Sequence, residues 1–261
     1  MIPMQTATQQ QQPAWATGAA KRASFGTVVG VELRKFTATP ADKILLVAGP
    51  IAVVLLSILF MVDPFNPVTM RKQLGTVVTT IRLAAILVDV ALVKLIASEW
   101  HYRSAQPTLL AQPSRLRYVL AQGAIAAGAW VLVAGLHILM TFTYFAGVLD
   151  DHDAENLLTI RVGTTIGVCL LGSFLMTLLA VSIAWLIPNT AGAIAAYCLI
   201  SILFVIVQAN QDFAGWVDPV EPSRQLGGLS THGPIALATS LVLWLGVTAL
   251  GVTRAARRES A

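Results

Sequence analysis

Charge is what this sequence has least of. Asp, Glu, Lys and Arg make up 11% of its 261 residues, less than half the roughly 25% usual in a soluble globular domain. Mean hydropathy is +0.73. That shortage excludes a water-solvated domain as the main body of the chain and points to an all-α integral membrane protein. Catalytic and metal-binding patterns are missing as well. There is no GxxxxGK[ST] phosphate loop, no GxSxG elbow and no HExxH, and His101, His137, His152 and His232 fall on different segments with no ligand spacing. The expectation is a chain with no catalytic residues, no metal and no cofactor of its own. Cysteine is scarce too. Cys169 and Cys198 both lie in apolar runs, where a thiol behaves as a small hydrophobe, so no disulfide framework is expected.

The net charge is +4. Its basic residues are dispersed at the flanks of apolar runs, which is a topology signal rather than a phosphate-binding face, so nucleic acid is not an expected partner. Residues 1–23 are polar and include the run Gln9–Gln12; such a stretch buries too little to fold alone and reads as a disordered tail. No apolar region follows Lys21 and Arg22 directly, so no signal peptide is expected.

Residues 24–38 place Phe25, Val29, Leu33 and Phe36 at helical spacing, with Glu32, Arg34 and Lys35 mostly away from them. The stretch is too short and too charged to span a membrane and reads as an interfacial amphipathic helix. Thr39-Pro40-Ala41-Asp42 then carries the marks of a new helix: a capping Thr, Pro at the first position and an acid in the first turn. Six apolar segments follow, at about 44–62, 74–97, 116–145, 160–187, 190–208 and 234–252, each near or above the ~20 residues a spanning helix needs. The domain from 24 to 258 is thus a six-span bundle with a short C-terminal end, 259–261.

Orientation follows from lysine and arginine. With both termini in the cytoplasm, Lys21, Arg22, Arg34, Lys35, Lys43, Arg103, Arg115, Arg117, Arg254, Arg257 and Arg258 are inside, against Arg71, Lys72, Arg161 and Arg224 outside. A multi-pass protein of the cell membrane is expected, with the lipid bilayer as its first partner.

The second span holds Arg82, Asp89 and Lys94. A charge at the bilayer centre costs at least about 2.5 kcal/mol on insertion scales, so these groups should face protein or water. Arg82 and Asp89, seven apart, share a helix face. Two readings stand: they line a substrate path or gating contact, or they are paired inside the bundle while Lys94 snorkels to the interface. His137, alone in the third span, reads as a packed, hydrogen-bonded histidine. Asp150-Asp151-His152-Asp153 reads as a solvated external turn rather than a cation site. Small residues four apart (Gly163/Gly167, Gly123/Ala127, Gly192/Ala196) permit close helix approach. The external segment 209–233, rich in Pro, Gly and aromatics, suggests short helices at the membrane surface, as an aromatic anchor more than as a gate.

Between the second and third spans, residues 97–122 form a polar hinge with Glu99, His101, Arg103, Arg115, Arg117, Pro107 and Pro113, longer than a connector requires. Here Glu99, then Thr108-Leu109-Leu110, then Pro113-Ser114-Arg115 resembles the permease subunits of type-two ABC exporters (the ABC-2 superfamily). Glu32-Leu33-Arg34-Lys35 before the first span resembles that family's amphipathic helix, and the six-span layout agrees over about 24–258. The chain departs from the family's usual Gly-Thr pair soon after the acid, since Arg103-Ser104-Ala105-Gln106-Pro107 precedes Thr108. The resemblance implies a permease without a nucleotide site, paired with a separate ATP-binding cassette subunit that would carry ATP and Mg. It implies a cytoplasmic coupling helix over 102–112 seated on that ATPase, with Glu99, Tyr102, Arg103, Thr108, Leu109, Leu110, Pro113 and Arg115 as coupling residues. Glu32, Arg34 and Lys35 would buttress it. The turn at 188–190 would make a smaller contact. A second permease copy or homologue would complete a dimer with the export pathway between the two. The competing expectation is a secondary transporter or channel using Asp89 and Arg82, with no ATPase.

Overall fold

The structure, a computed structural model, describes residues 24–35, 37–61, 70–102, 114–151, 161–207 and 215–257. The expected tail at 1–23, most of the coupling segment at 103–113, His152 and Asp153 of the acidic turn and the C-terminal end lie outside the described residues. Within them the chain is helical, with no strand. In order, the helices are α1 (Phe25–Lys35), α2 (Pro40–Met61), α3 (Met70–Ala84), α4 (Ile86–His101), α5 (Arg115–Asp151), α6 (Val162–Leu186), α7 (Thr190–Val207), α8 (Glu221–Leu226) and α9 (Pro234–Arg257). Six stretches are long and apolar enough to cross a membrane: Pro40–Leu59, Leu74–His101, Arg115–Ala146, Val162–Leu186, Thr190–Val207 and Pro234–Arg257. They are called spans 1 to 6 below. This is the pattern of a multi-pass membrane protein.

Local chemistry sets the helix starts. Ser24 Oγ accepts the Thr27 amide at 3.2 Å and opens α1. Thr39 and Asp42 cap α2 reciprocally: the Asp42 amide donates to Thr39 Oγ1 at 3.2 Å and the Thr39 amide donates to Asp42 Oδ2 at 3.1 Å. That satisfies two of the amides a helix start leaves without intrahelical partners. Asn189 Oδ1 accepts the Gly192 amide at 3.0 Å and starts α7 directly after span 4. Span 2 is one helical run with a single turn residue, Ala85, between α3 and α4.

Spans 2 and 4 are the centre of the bundle and spans 1, 5 and 6 its rim. The most apolar windows of spans 2 and 4 are 61% and 67% buried, against 17% for each of the rim spans. This explains why α6 lacks a polar face: it meets spans 2, 3, 5 and 6 together with α8, so Val168, Met176, Leu179, Ala180 and Ala184 all pack inward. Rim spans instead leave apolar side chains outward, such as Leu59, Leu199, Ile206 and Val242. In hydrocarbon these need no protein cover, since lipid tails are as apolar as leucine.

Two close approaches depend on glycine. A Cβ on Gly49 would stand 2.8 Å from Val88 Cγ2, which brings span 1 against span 2. A Cβ on Gly167 would stand 2.9 Å from Leu226, so α8 lies directly on span 4. Of the other spaced small residues, Gly123 and Gly163 face open space.

The α1 helix turns in an informative way. Val28 and Glu32 face the bundle, while Phe25 and Leu33 are exposed. Phe25 of its apolar stripe therefore looks outward, Val29 is half-buried, and its acidic residue points inward, on a helix packed against span 3.

Candidate functional site

Three buried polar centres are threaded through the bundle, and each takes residues from more than two helices. The first lies at the α1 end. Lys35 Nζ meets Glu32 Oε1 at 2.6 Å and Glu99 Oε2 at 2.9 Å, tying α1 to the end of span 2. Tyr118 Oη donates to Glu99 Oε2 at 2.9 Å, Gln122 Nε2 donates to Tyr118 Oη at 3.1 Å, and Trp185 Nε1 donates to Gln122 Oε1 at 3.0 Å. One chain of contacts thus runs from α1 through spans 2 and 3 to the end of span 4. Lys35 also lies 5.7 Å from the centroid of the Tyr118 ring, within cation–π range, and Trp100 packs edge-on against that ring.

Charge at this node is unbalanced, because one ammonium serves two carboxylates. Glu32 is fully buried, and its Oε2 has no hydrogen-bond partner among the described residues. Burial holds the Glu32 carboxyl above its ordinary range; the hydrogen bond and charge of Lys35 oppose that shift, and the Glu99 charge adds to it.

The second centre lies midway along span 2. Asp89 is fully buried. Its Oδ2 accepts the Tyr197 hydroxyl at 2.6 Å and its Oδ1 the Thr177 hydroxyl at 3.3 Å. Both donors are neutral hydroxyls, and among the described residues no cation pairs with Asp89.

At the far end, Arg82 is ion-paired with Asp218, which belongs to the segment between spans 5 and 6. Asp218 Oδ1 also accepts the Val220 amide at 2.9 Å, and its carbonyl accepts the Ser240 hydroxyl at 2.6 Å. Beyond it, α8 is buried among spans 2, 4 and 6. Glu221 accepts the Ser230 hydroxyl, with Arg224 at 3.6 Å and His232 Nδ1 at 3.8 Å. Trp244 Nε1 holds the Val217 carbonyl at 2.9 Å. Residues 218–224 are therefore buried against the bundle, while Trp216 and Leu226 keep exposed faces.

Arg82 and Asp89 are not brought together: each has its own partners, and neither lines the apolar groove between α1 and spans 1 to 3. Lys94 pairs with Asp42 across spans 1 and 2. Of the coupling residues expected from the sequence, Glu99 is buried at the network, Arg115 opens α5 half-exposed, and Tyr102 is 72% exposed where the described chain stops. Arg103, Thr108, Leu109, Leu110 and Pro113 lie outside the described residues. Glu32 and Lys35 join the network while Arg34 is exposed. His137 is packed and fully buried, but its ring nitrogens have no partner among the described residues, which differs from the hydrogen-bonded histidine expected.

Sequence reading missed Tyr118, Gln122, Trp185, Thr177, Tyr197 and Asp218. A signal existed for Tyr118 and Gln122, a polar pair at i and i+4 on one face of an apolar helix. None existed for Asp218, which lies 136 residues from Arg82 along the chain. No protein-family profile matches the chain, and no curated protein matches it.

Proposed function

We propose that the chain is the membrane-spanning permease subunit of an ATP-driven transporter of the ABC-2 type, working in the cell membrane as an exporter. Both termini lie in the cytoplasm, two permease copies face each other, and a separate ATP-binding cassette subunit carries ATP and Mg. The observation that carries this reading is the Lys35 node. It joins the amphipathic helix α1 to Glu99, the acid at the mouth of the 103–113 segment. An ATPase gripping that segment would pull on Glu99 and Tyr118. Motion there reaches α1 through Lys35 and span 4 through Gln122 and Trp185. Such a node suits a coupling joint because its members come from four helices and its two carboxylates share one cation.

A pull-down tests the reading. The tagged protein, solubilised from its native membrane, should bring an ATP-binding cassette protein with it, and replacing residues 103–112 with a Gly/Ser linker should release that partner. A reproducibly solitary chain that moves solute without ATP would favour a second reading, a secondary transporter. That reading draws on Asp89, a mid-span carboxylate held only by hydroxyls, since intramembrane acids commonly mark ion or proton paths.

A further inference from the structure

One described cavity lies at none of the three polar centres. It is an apolar groove of about 580 Å³ between α1 and spans 1, 2 and 3. Val29 and Leu33 of α1, Leu46 and Pro50 of span 1, Ala91 of span 2 and Gly128 of span 3 are among its walls. Water has almost nothing to bond to there. Three of its walls are membrane-spanning helices, and an empty groove would forfeit dispersion contacts along its whole length, so an apolar chain is the occupant that fits.

The α1 end of the groove supplies the other half of an amphiphile's site. Arg34 follows Leu33 directly, Lys43 stands three residues before Leu46, and Arg117 stands seven before the lining residue Ala124, two turns along the same face. All three are exposed, and among the described residues none is ion-paired. Of the acids near this end, Asp42 is paired with Lys94, while Glu32 and Glu99 are buried and turned to Lys35. Three of the helices that flank the apolar slot thus each carry an exposed cation within two turns of a lining residue. Basic pockets between spanning helices on the cytoplasmic side recognise anionic lipid headgroups.

We infer that this groove binds an anionic phospholipid from the leaflet on the α1 side, one acyl chain lying between α1 and spans 1 to 3 and the phosphate among Arg34, Lys43 and Arg117. The bound lipid would wedge α1 at a fixed distance from spans 1 to 3 and so set the position of Lys35. The inference is independent of whether an ATPase docks on the chain.

Native mass spectrometry of the detergent-purified full chain, titrated with phosphatidylglycerol or with phosphatidylcholine of the same acyl chains, tests it. Phosphatidylglycerol should bind more tightly, and each of Arg34→Gln, Lys43→Gln and Arg117→Gln should weaken it about fivefold, with the triple variant losing the preference. A Cβ at Gly128 meets nothing within 4 Å, so Gly128→Leu should fill the groove and abolish lipid binding while helix content by circular dichroism is unchanged. Leu46→Trp repeats that test from the opposite wall. Equal binding of the two lipids by the wild type, or undiminished phosphatidylglycerol binding in a folded groove variant, would overturn the inference.

Discussion

At the α8 end, Arg82 and Asp218 are sealed, with side chains 1% and 0% exposed, and one cation meets one carboxylate. At the α1 end, Lys35 is 23% exposed and is divided between Glu32 and Glu99. Desolvation of the sealed pair is repaid only while both partners stay in place, so the α8 end behaves as a fixed clasp. The shared lysine side chain is part-exposed and has two acceptors, so it keeps one carboxylate when it leans away from the other. The difference teaches where movement is affordable in this bundle: at the end where charge is unbalanced and part-exposed.

Breaking the clasp should have the largest effect. Arg82→Leu leaves Asp218 buried without its cation, and a loss of about 3–5 kcal/mol is expected. At roughly 2–4 °C per kcal/mol for a chain of this size, thermal unfolding in detergent should fall by on the order of 10 °C. Restoring the midpoint with Asp218→Asn in the same background would confirm that the orphaned charge is the cause.

Lys35→Met should cost less, about 1–3 kcal/mol, because Lys35 is part-exposed. It should also be pH-dependent. A buried acid whose native pKa lies above its unfolded value destabilises the fold increasingly as pH rises through that native value, and Glu32 is such an acid. Part of the variant's loss should therefore return as pH is lowered toward about 5, just above the ordinary glutamate value. Equal losses at pH 5 and pH 8 would contradict the two-carboxylate account of this node.

His137→Leu should move stability the other way. Removing two buried nitrogens that lack partners should gain about 1 kcal/mol. If the variant instead loses transport while its melting temperature holds, the histidine has a role that packing does not show. Smallest of all should be Lys94→Gln, which removes an ion pair with side chains 29% and 18% exposed, for under about 1 kcal/mol.

Six apolar segments were legible in the sequence because a spanning helix advertises itself by length and lack of charge alone. The start of α2 was legible because Thr39, Pro40 and Asp42 act on their own backbone. The ends were less so: span 2 continues as helix to His101 and span 6 to Arg257, since polar side chains at a membrane boundary do not stop a helix. The partners of Arg82, Asp89 and Glu99 were not legible, nor was the burial of Glu99; for Arg82 and Asp89 the cost of a charge in hydrocarbon implied only that they face protein or water. Helical periodicity places a side chain on a face, but which face meets which is settled by the packing of spans distant in sequence. Residues 215–233 show the same limit. Their Pro, Gly and aromatic content marks an irregular membrane-level segment, whereas its inward seat depends on Gly167 and Gly172 of span 4 leaving room for Leu226 and Ser223.

The most direct test of the coupling account is site-directed crosslinking at Tyr102, exposed where the described part of span 2 ends. Tyr102→Cys would be placed in a background with Cys169→Ala and Cys198→Ala, and native membranes treated with a thiol-to-amine crosslinker. A coupling joint predicts an adduct containing an ATP-binding cassette protein, with a yield that changes when a non-hydrolysable ATP analogue is added. Uncrosslinked chain, or adducts only with itself under conditions where an exposed control cysteine reacts fully, would contradict it.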